Sequence, residues 1–224
     1  MVIAVINEKG GSGKSTLAIN LSSKFKQERK DVILIDSDPQ RSIEHFLNFR
    51  DENLELPFNS LSKLGDTLAK EIKNLQEKYD VVVIDTGGRD SKEMRQALII
   101  SNIVIVPIVP SALDISVFEK MVDIIEEAKI INESLIPLIV ISRASPNPFL
   151  EKKIAQLQEY LAKKNLKDFI LAKSIIFERE AFKNAIFEGK TITEIGDSKA
   201  KKDFLNFFKE LNSILGENNE SKSI

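Results

Sequence analysis

Short runs of apolar, mostly β-branched residues recur along the chain. They read VIAVI at residues 2–6, VILI at 32–35, VVVI at 81–84, IVIV at 103–106 and LIPLIVI at 135–141. Continuous apolar runs of this length are typical of strands buried on both faces of a parallel sheet. The pattern therefore predicts five buried strands.

The segments between these runs have a different periodicity. In residues 15–27, 61–79 and 115–129, apolar positions recur at spacings of three and four with charged residues opposite, as in amphipathic helices. Strands alternating with helices predict an α/β, doubly wound, mostly parallel sheet flanked by helices. We expect one domain over residues 1–215, followed by a polar C-terminal tail over residues 216–224.

Ligands of such sheets bind at the carboxyl ends of the strands. Functional side chains are therefore expected just after Ile6, Ile35, Ile84 and Val106.

Composition excludes several classes of site and partner. The net charge is −2, so any nucleic-acid contact must come from a local basic patch. The chain has no cysteine, which excludes disulfides, thiolate metal sites and iron–sulfur clusters. The N-terminus lacks a signal-peptide pattern, and no window approaches the ~20 apolar residues of a membrane span. We expect a cytoplasmic protein.

The first predicted strand is followed by KGGSGKST at residues 9–16 and then by a predicted helix. Glycines in this context let backbone N–H groups approach phosphate oxygens at a helix N-terminus. Lys14 would neutralise the β- and γ-phosphates, and the Ser15 hydroxyl would bind magnesium. The residues expected to bind nucleotide here are Gly10, Gly11, Ser12, Gly13, Lys14, Ser15 and Thr16.

KGGSGKST resembles the deviant Walker A motif of the ParA/MinD family of ATPases. The resemblance implies that Lys9 reaches across an ATP-dependent homodimer to the phosphates bound by the partner subunit. A cation supplied in trans would stabilise charge on the transferred phosphoryl group, as an arginine finger does. ATP hydrolysis would then depend on dimerisation.

Carboxylates follow the next two predicted strands. Residues 36–40 read DSDPQ, and their resemblance to the family implies that Asp36 supports magnesium through water and that Asp38 positions the attacking water. Residues 85–90 read DTGGRD, in which Asp85 fits a Walker B carboxylate that holds a magnesium-bound water. The two glycines of this segment suit a loop that distinguishes ATP from ADP. The role of Arg89 stays open.

Two further segments resemble the family. In residues 103–114 the strand is followed by a proline-rich loop containing Pro107 and Pro110, which the family places near the nucleotide and the dimer interface. In residues 141–144 (ISRA) the resemblance places Arg143 near the adenine. No [NT]-K-x-D guanine-reading motif occurs in the sequence, so ATP is favoured over GTP.

The cargo is a separate question. Family members that move electrons use cysteines, and those that act as tyrosine kinases have C-terminal tyrosine clusters; this chain has no cysteine and two tyrosines. A DNA-partition ATPase and a MinD-like membrane-associated positioning ATPase remain. The apolar stripe of residues 201–215 is compatible with a membrane-surface helix or with a helix packed on the domain. We favour the packed helix and expect no membrane partner.

Residues 172–192 resemble the C-terminal region of short, ParF-like plasmid partition ATPases, in which basic residues of the ATP dimer contact DNA phosphates. The sequence thus suggests a cytoplasmic, nucleoid-associated ATPase that binds nonspecific DNA and is stimulated by a centromere-binding ParB-like or ribbon-helix-helix partner. His45 is expected to be a surface helix residue. The candidate DNA-binding residues are Lys173, Arg179, Lys183, Lys199, Lys201 and Lys202.

Overall fold

The computed structural model describes residues 1–147, 149, 151–164 and 166–221. Seven strands form one sheet in the order β3-β2-β4-β1-β5-β6-β7, and every neighbouring pair is parallel. The strands are β1 (Val2–Val5), β2 (Val32–Ser37), β3 (Asn59–Ser62), β4 (Val81–Thr86), β5 (Ile103–Ile108), β6 (Ile136–Ala144) and β7 (Ile170–Phe177). The predicted fold class is confirmed.

Helices cover both faces of the sheet. They are α1 (Lys14–Gln27), α2 (Ser42–Asn48), α3 (Leu68–Gln76), α4 (Lys92–Ile100), α5 (Ala112–Ile131), α6 (Glu151–Lys163), α7 (Glu180–Phe187) and α8 (Lys199–Ser221). Alternate strand residues point to opposite faces, so Val2 and Ala4 join the core beneath α3 to α6, and Ile3 and Val5 join the core beneath α1, α2 and α8. The five apolar runs are buried on both sides.

Two strands and several strand boundaries differ from the sequence prediction: β2, β4 and β6 end two or three residues later than predicted, and β1 ends one residue earlier. The pattern missed β3 and β7, which are the edge strands of the sheet. The predicted end of β5 at Val106 is wrong, because the strand continues to Ile108 and includes Pro107. Pro107 pairs with Val140 of β6, and its carbonyl accepts a hydrogen bond of 2.7 Å from the Asn7 side chain.

The last helix, α8, packs its apolar stripe into the core. Phe204, Phe207 and Leu211 are fully buried, and the rings of Phe208 and Phe25 of α1 meet edge to face at 4.9 Å. The prediction that residues 201–215 form a packed helix is confirmed. The helix continues to Ser221, beyond the boundary predicted at residue 215, and residues 222–224 of the predicted tail lie outside the described residues. His45 is exposed on α2, as predicted.

An ion pair joins Arg50, two residues after α2, to Glu194 in the segment after α7. The Arg50 side chain is 4% exposed, lies 2.6 Å from Glu194, and donates to the Gly189 carbonyl at 2.8 Å. Gly189 has a φ of +63°, and a Cβ atom added there would lie 2.3 Å from both the Cα and the nitrogen of Arg50. Only glycine therefore fits this contact.

Gly189→Ala is expected to lower the free energy of unfolding by about 3 kcal/mol, since it adds backbone overlap to an unfavourable φ. Gly65→Ala is the matched control: φ there is +90°, but no atom lies within 4 Å of the added Cβ. Its cost should be about 1 kcal/mol, from φ alone. Urea unfolding of the two variants measures the difference, and equal costs would mean that the contact with Arg50 contributes nothing.

Candidate nucleotide site

A cavity of about 890 Å³ opens at the carboxyl ends of the strands. Of the four strand ends predicted to carry functional residues, those after Ile6, Ile35 and Ile84 contribute to its lining, and the one after Val106 contributes none of the described lining residues. The end of β6 lines it as well. The cavity is lined by residues that include Gly10, Gly11, Gly13, Lys14, Ser15, Thr16, Asp38, Gly87, Gly88, Arg89, Arg143 and Glu178.

The loop of residues 9–16 has the predicted cradle geometry. Gly11 and Gly13 have φ values of +76° and +93°, and α1 begins directly after Gly13 at Lys14. The Ser12 side chain is fully buried, and its hydroxyl has no hydrogen-bond partner among the described residues. Backbone N–H groups at a helix N-terminus favour an anion. The loop is thus built to hold phosphate.

Asn7 is a site residue that the sequence analysis missed. It is 3% exposed; its side-chain oxygen accepts from the Lys9 N–H at 2.9 Å, and its amide nitrogen donates to the Pro107 carbonyl. The Lys14 ammonium donates to the Lys9 carbonyl at 3.1 Å. The backbone of Lys9 is therefore held on both sides. A polar residue directly after a buried apolar run was the sequence signal for Asn7.

Lys14 is a buried cation at the centre of the loop. Lys14 is 6% exposed. Burial lowers the pKa of its ammonium group, and attraction to Asp85 and Asp38 opposes that shift. A buried ammonium is costly unless an anion compensates it. A phosphate in the cavity would supply that compensation.

Asp36 and Asp85 lie opposite each other in neighbouring strands, as the β2–β4 register shows. Asp85 is fully buried, and burial is the main cause that raises its pKa to about 7, with Asp36 adding to the effect. Ser15 and Lys14 lower the pKa, but neither Asp85 oxygen accepts a hydrogen bond of ordinary geometry from the described residues. A buried carboxylate with both oxygens unsatisfied needs a ligand or a proton.

Asp36 also has a structural task that the sequence did not reveal. Its two oxygens accept hydrogen bonds of 3.1 Å from the backbone nitrogens of Asp38 and Ile43. The first turn of α2 has no side-chain cap from its own N-cap residue, Arg41, so Asp36 satisfies one of its free N–H groups. Burial raises the pKa of Asp36, and the two backbone hydrogen bonds oppose that rise.

The donor set fits a magnesium ion bound together with phosphate. No cluster of three or more His, Asp or Glu side chains with metal-binding spacing occurs among the described residues, so the protein alone offers no complete cage. The Ser15 hydroxyl and the unsatisfied Asp85 carboxylate are the hard oxygen donors that magnesium takes when phosphates and waters complete its shell.

Asp38 lies beside the loop after β4, and both line the cavity. One of its oxygens accepts from the Gln40 N–H at 2.9 Å, and a Cβ atom added to Gly87 would lie 3.5 Å from the same oxygen. Its other oxygen is left for a ligand or water. The structure therefore separates Asp38, which lines the cavity, from Asp36, which is buried beneath it.

Arg143 connects the end of β6 to the phosphate loop. Its guanidinium donates to the Gly11 carbonyl and forms an ion pair of 2.7 Å with Glu178, whose pKa it lowers. Arg143 has a φ of +50°, a conformation that a non-glycine residue keeps only when its surroundings enforce it. Both side chains line the cavity. The structure thus brings Arg143 to the cavity, and its placement near the adenine stays a prediction.

The six candidate DNA-binding residues differ in availability. Arg179 lies 2.6 Å from Asp203 and is largely buried, Lys183 pairs with Glu180 at 2.8 Å, and Lys201 donates to the Ile195 carbonyl. These three are engaged within the chain. The exposed members are Lys183, despite its ion pair, and Lys173, Lys199 and Lys202, of which the last two lie on the first turn of α8.

Comparisons with known proteins agree with this geometry. Residues 3–192 match the family model described as the CobQ/CobB/MinD/ParA nucleotide binding domain. The maintenance of carboxysome distribution protein A of Halothiobacillus neapolitanus is 27% identical over 195 residues, covering 87% of each chain.

Two solved structures share the fold. One is a putative plasmid partition protein of Borrelia burgdorferi bound to AMPPNP, with a TM-score of 0.74 and 22% identity over 95% of this chain and 98% of that one. The other is the septum site-determining protein MinD of Pyrococcus horikoshii complexed with Mg-ADP, with a TM-score of 0.73 and 19% identity over 97% and 98% of the chains.

Sheet order, phosphate loop and strand-end carboxylates together define a phosphate-loop nucleotide-binding protein. The chain belongs to the CobQ/CobB/MinD/ParA family, whose members include ParA- and MinD-type ATPases. No helix of the described residues is long and apolar enough to cross a membrane.

Proposed function

We propose that this protein is a ParA-type partition ATPase. Magnesium and ATP close a homodimer through Lys9, the dimer binds nonspecific DNA, and slow hydrolysis, stimulated by a centromere-binding partner, releases it. The observation that carries the proposal is that Lys14, Ser15 and Asp38 line one cavity. The buried Asp85 interacts with Lys14 and Ser15, and two hydrogen bonds hold the backbone of Lys9.

The assigned roles follow from position and charge. Lys14 neutralises the β- and γ-phosphates, Ser15 and Asp85 support magnesium, and Asp36 acts behind them through water. Asp38 positions the attacking water at the open side of the cavity. Arg143 lies at the base end, where its ion pair with Glu178 leaves the flat guanidinium face available to adenine. In this proposal the chain is nucleoid-associated.

The packing of α8 supports DNA rather than a membrane as the surface that the dimer rides on. Its apolar face packs against the core of the domain. A helix that binds a membrane surface needs its apolar face free to enter the lipid. The exposed Lys199 and Lys202 on its first turn can approach phosphates. A MinD-like positioning ATPase is the alternative, since relatives with this fold include MinD.

Co-sedimentation tests the choice. We expect the protein with ATP and magnesium, but not with ADP, to bind random-sequence duplex DNA, with affinity falling steeply between about 50 and 200 mM salt. Lys199→Ala/Lys202→Ala should weaken binding. The matched control is Lys70→Ala/Lys73→Ala on α3, which is equally exposed on the opposite face of the sheet. ATP-dependent binding to anionic liposomes without DNA binding would instead favour the positioning ATPase.

A further inference from the structure

Arg89 is a cationic residue at the cavity, and neither the sequence motifs nor the family resemblance assigns it a role. It lines the cavity, and its side chain is exposed. Arg143 and Arg179, the other arginines that line the cavity, are ion-paired with Glu178 and Asp203. Among the described residues Arg89 has no ion-pair partner.

The loop that carries Arg89 is fixed on both sides. Gly88 packs against the phosphate loop: a Cβ atom added to it would lie 3.0 Å from the Gly10 nitrogen and 3.2 Å from its Cα. On the other side, the Asp90 carboxylate accepts hydrogen bonds of 2.8 and 2.9 Å from the Arg95 guanidinium. Arg89 is therefore presented from a backbone position directly beside the phosphate loop.

The charges of the cavity leave a place for another cation. Asp38, which lines the cavity, and the fully buried Asp85 both attract the buried ammonium of Lys14. Magnesium-bound ATP adds further negative charge. Arg143 is already committed to Glu178. Arg89 is the cavity-lining arginine left to balance the terminal phosphate.

We propose that Arg89 binds the γ-phosphate of the nucleotide held by its own subunit and thereby makes the site prefer ATP over ADP. The inference rests on the proposed ATPase function and goes beyond it by assigning ATP recognition to the loop after β4. A guanidinium can donate two parallel hydrogen bonds to one phosphate, and the contact is lost when the γ-phosphate leaves.

The first test compares two nucleotides. In Arg89→Ala, calorimetry with magnesium should show affinity for AMPPNP reduced about tenfold or more, while affinity for ADP changes less than about threefold. Arg89→Lys should recover part of the loss. Arg41→Ala, an exposed arginine that does not line the cavity, is the matched control and should leave both affinities unchanged. Equal losses for both nucleotides, or no loss, would overturn the proposal.

The second test places Arg89 in its own subunit. Arg89→Ala and Lys9→Ala are each assayed for turnover and then mixed. If Arg89 acts in cis and Lys9 in trans, a mixed dimer has one complete site, because the Lys9→Ala subunit keeps Arg89 and receives Lys9 from its partner. We expect turnover to reappear on mixing. Two inactive variants that stay inactive together would overturn the cis assignment.

A failure of the proposed function, in which Lys9 acts in trans, can be distinguished from a failure of the role proposed for Arg89. If Lys9→Ala alone keeps full turnover, the trans lysine of the proposed function is wrong. The AMPPNP-to-ADP comparison is therefore repeated in a Lys9→Ala background, with and without Arg89→Ala, so that dimer closure through Lys9 does not contribute to the measured affinity.

Discussion

Lys14→Ala will abolish ATP binding and leave the folded domain intact. The ammonium is buried, and burial lowers its pKa, so in the empty cavity the charge is a cost rather than a source of stability. With phosphate bound, the same low-polarity surroundings strengthen the attraction. We expect affinity to fall at least about a thousandfold, or ~4 kcal/mol.

Thermal unfolding with and without nucleotide measures this result. The wild-type melting temperature should rise with ATP and magnesium, and that of Lys14→Ala should not, although without nucleotide it should equal or exceed the wild-type value. Lys24→Ala is the matched control, since it removes a lysine of the same helix that pairs with Glu28 away from the cavity. A nucleotide-induced rise that survives in Lys14→Ala would contradict the assigned role.

The central strands were predictable from sequence because both of their faces are buried. β1, β2, β4, β5 and β6 read as continuous apolar runs. β3 reads NSLS and is mostly exposed, and β7 is interrupted by Lys173 and Ser174, whose backbone N–H groups are taken by the Glu210 carboxylate. Edge strands have only one hydrogen-bonded neighbour, so their sequences need not follow the buried pattern.

Motif residues of the site were predictable because phosphate chemistry restricts residue type and spacing. Lys14, Ser15 and Asp85 converge as expected. The sequence did not reveal the hydrogen bonds that hold these motif residues in place. Asn7 acts through a contact 100 residues away at Pro107, and the task of Asp36 at α2 depends on the loop between them. Such contacts arise only when the strand ends are brought together.

Asp38→Ala will preserve the ATP-bound dimer and slow its hydrolysis about a hundredfold. Asp38 lines the cavity, one of its oxygens accepts from Gln40, and the other accepts no hydrogen bond from the described residues and is open to water. Its loss should therefore affect the reaction more than binding, lowering kcat with little change in the affinity for ATP.

The Asp38→Asn variant distinguishes a role of Asp38 in ATP hydrolysis from a role in holding the local turn. The amide oxygen can still accept from Gln40, so the turn is kept, but the carboxylate that would orient and polarise the water is gone. We expect Asp38→Asn and Asp38→Ala to be equally slow in single-turnover hydrolysis and to form dimers with ATP by light scattering. A normal rate in Asp38→Asn would limit Asp38 to holding the loop, and a monomeric Asp38→Ala would place it in dimer formation instead of hydrolysis.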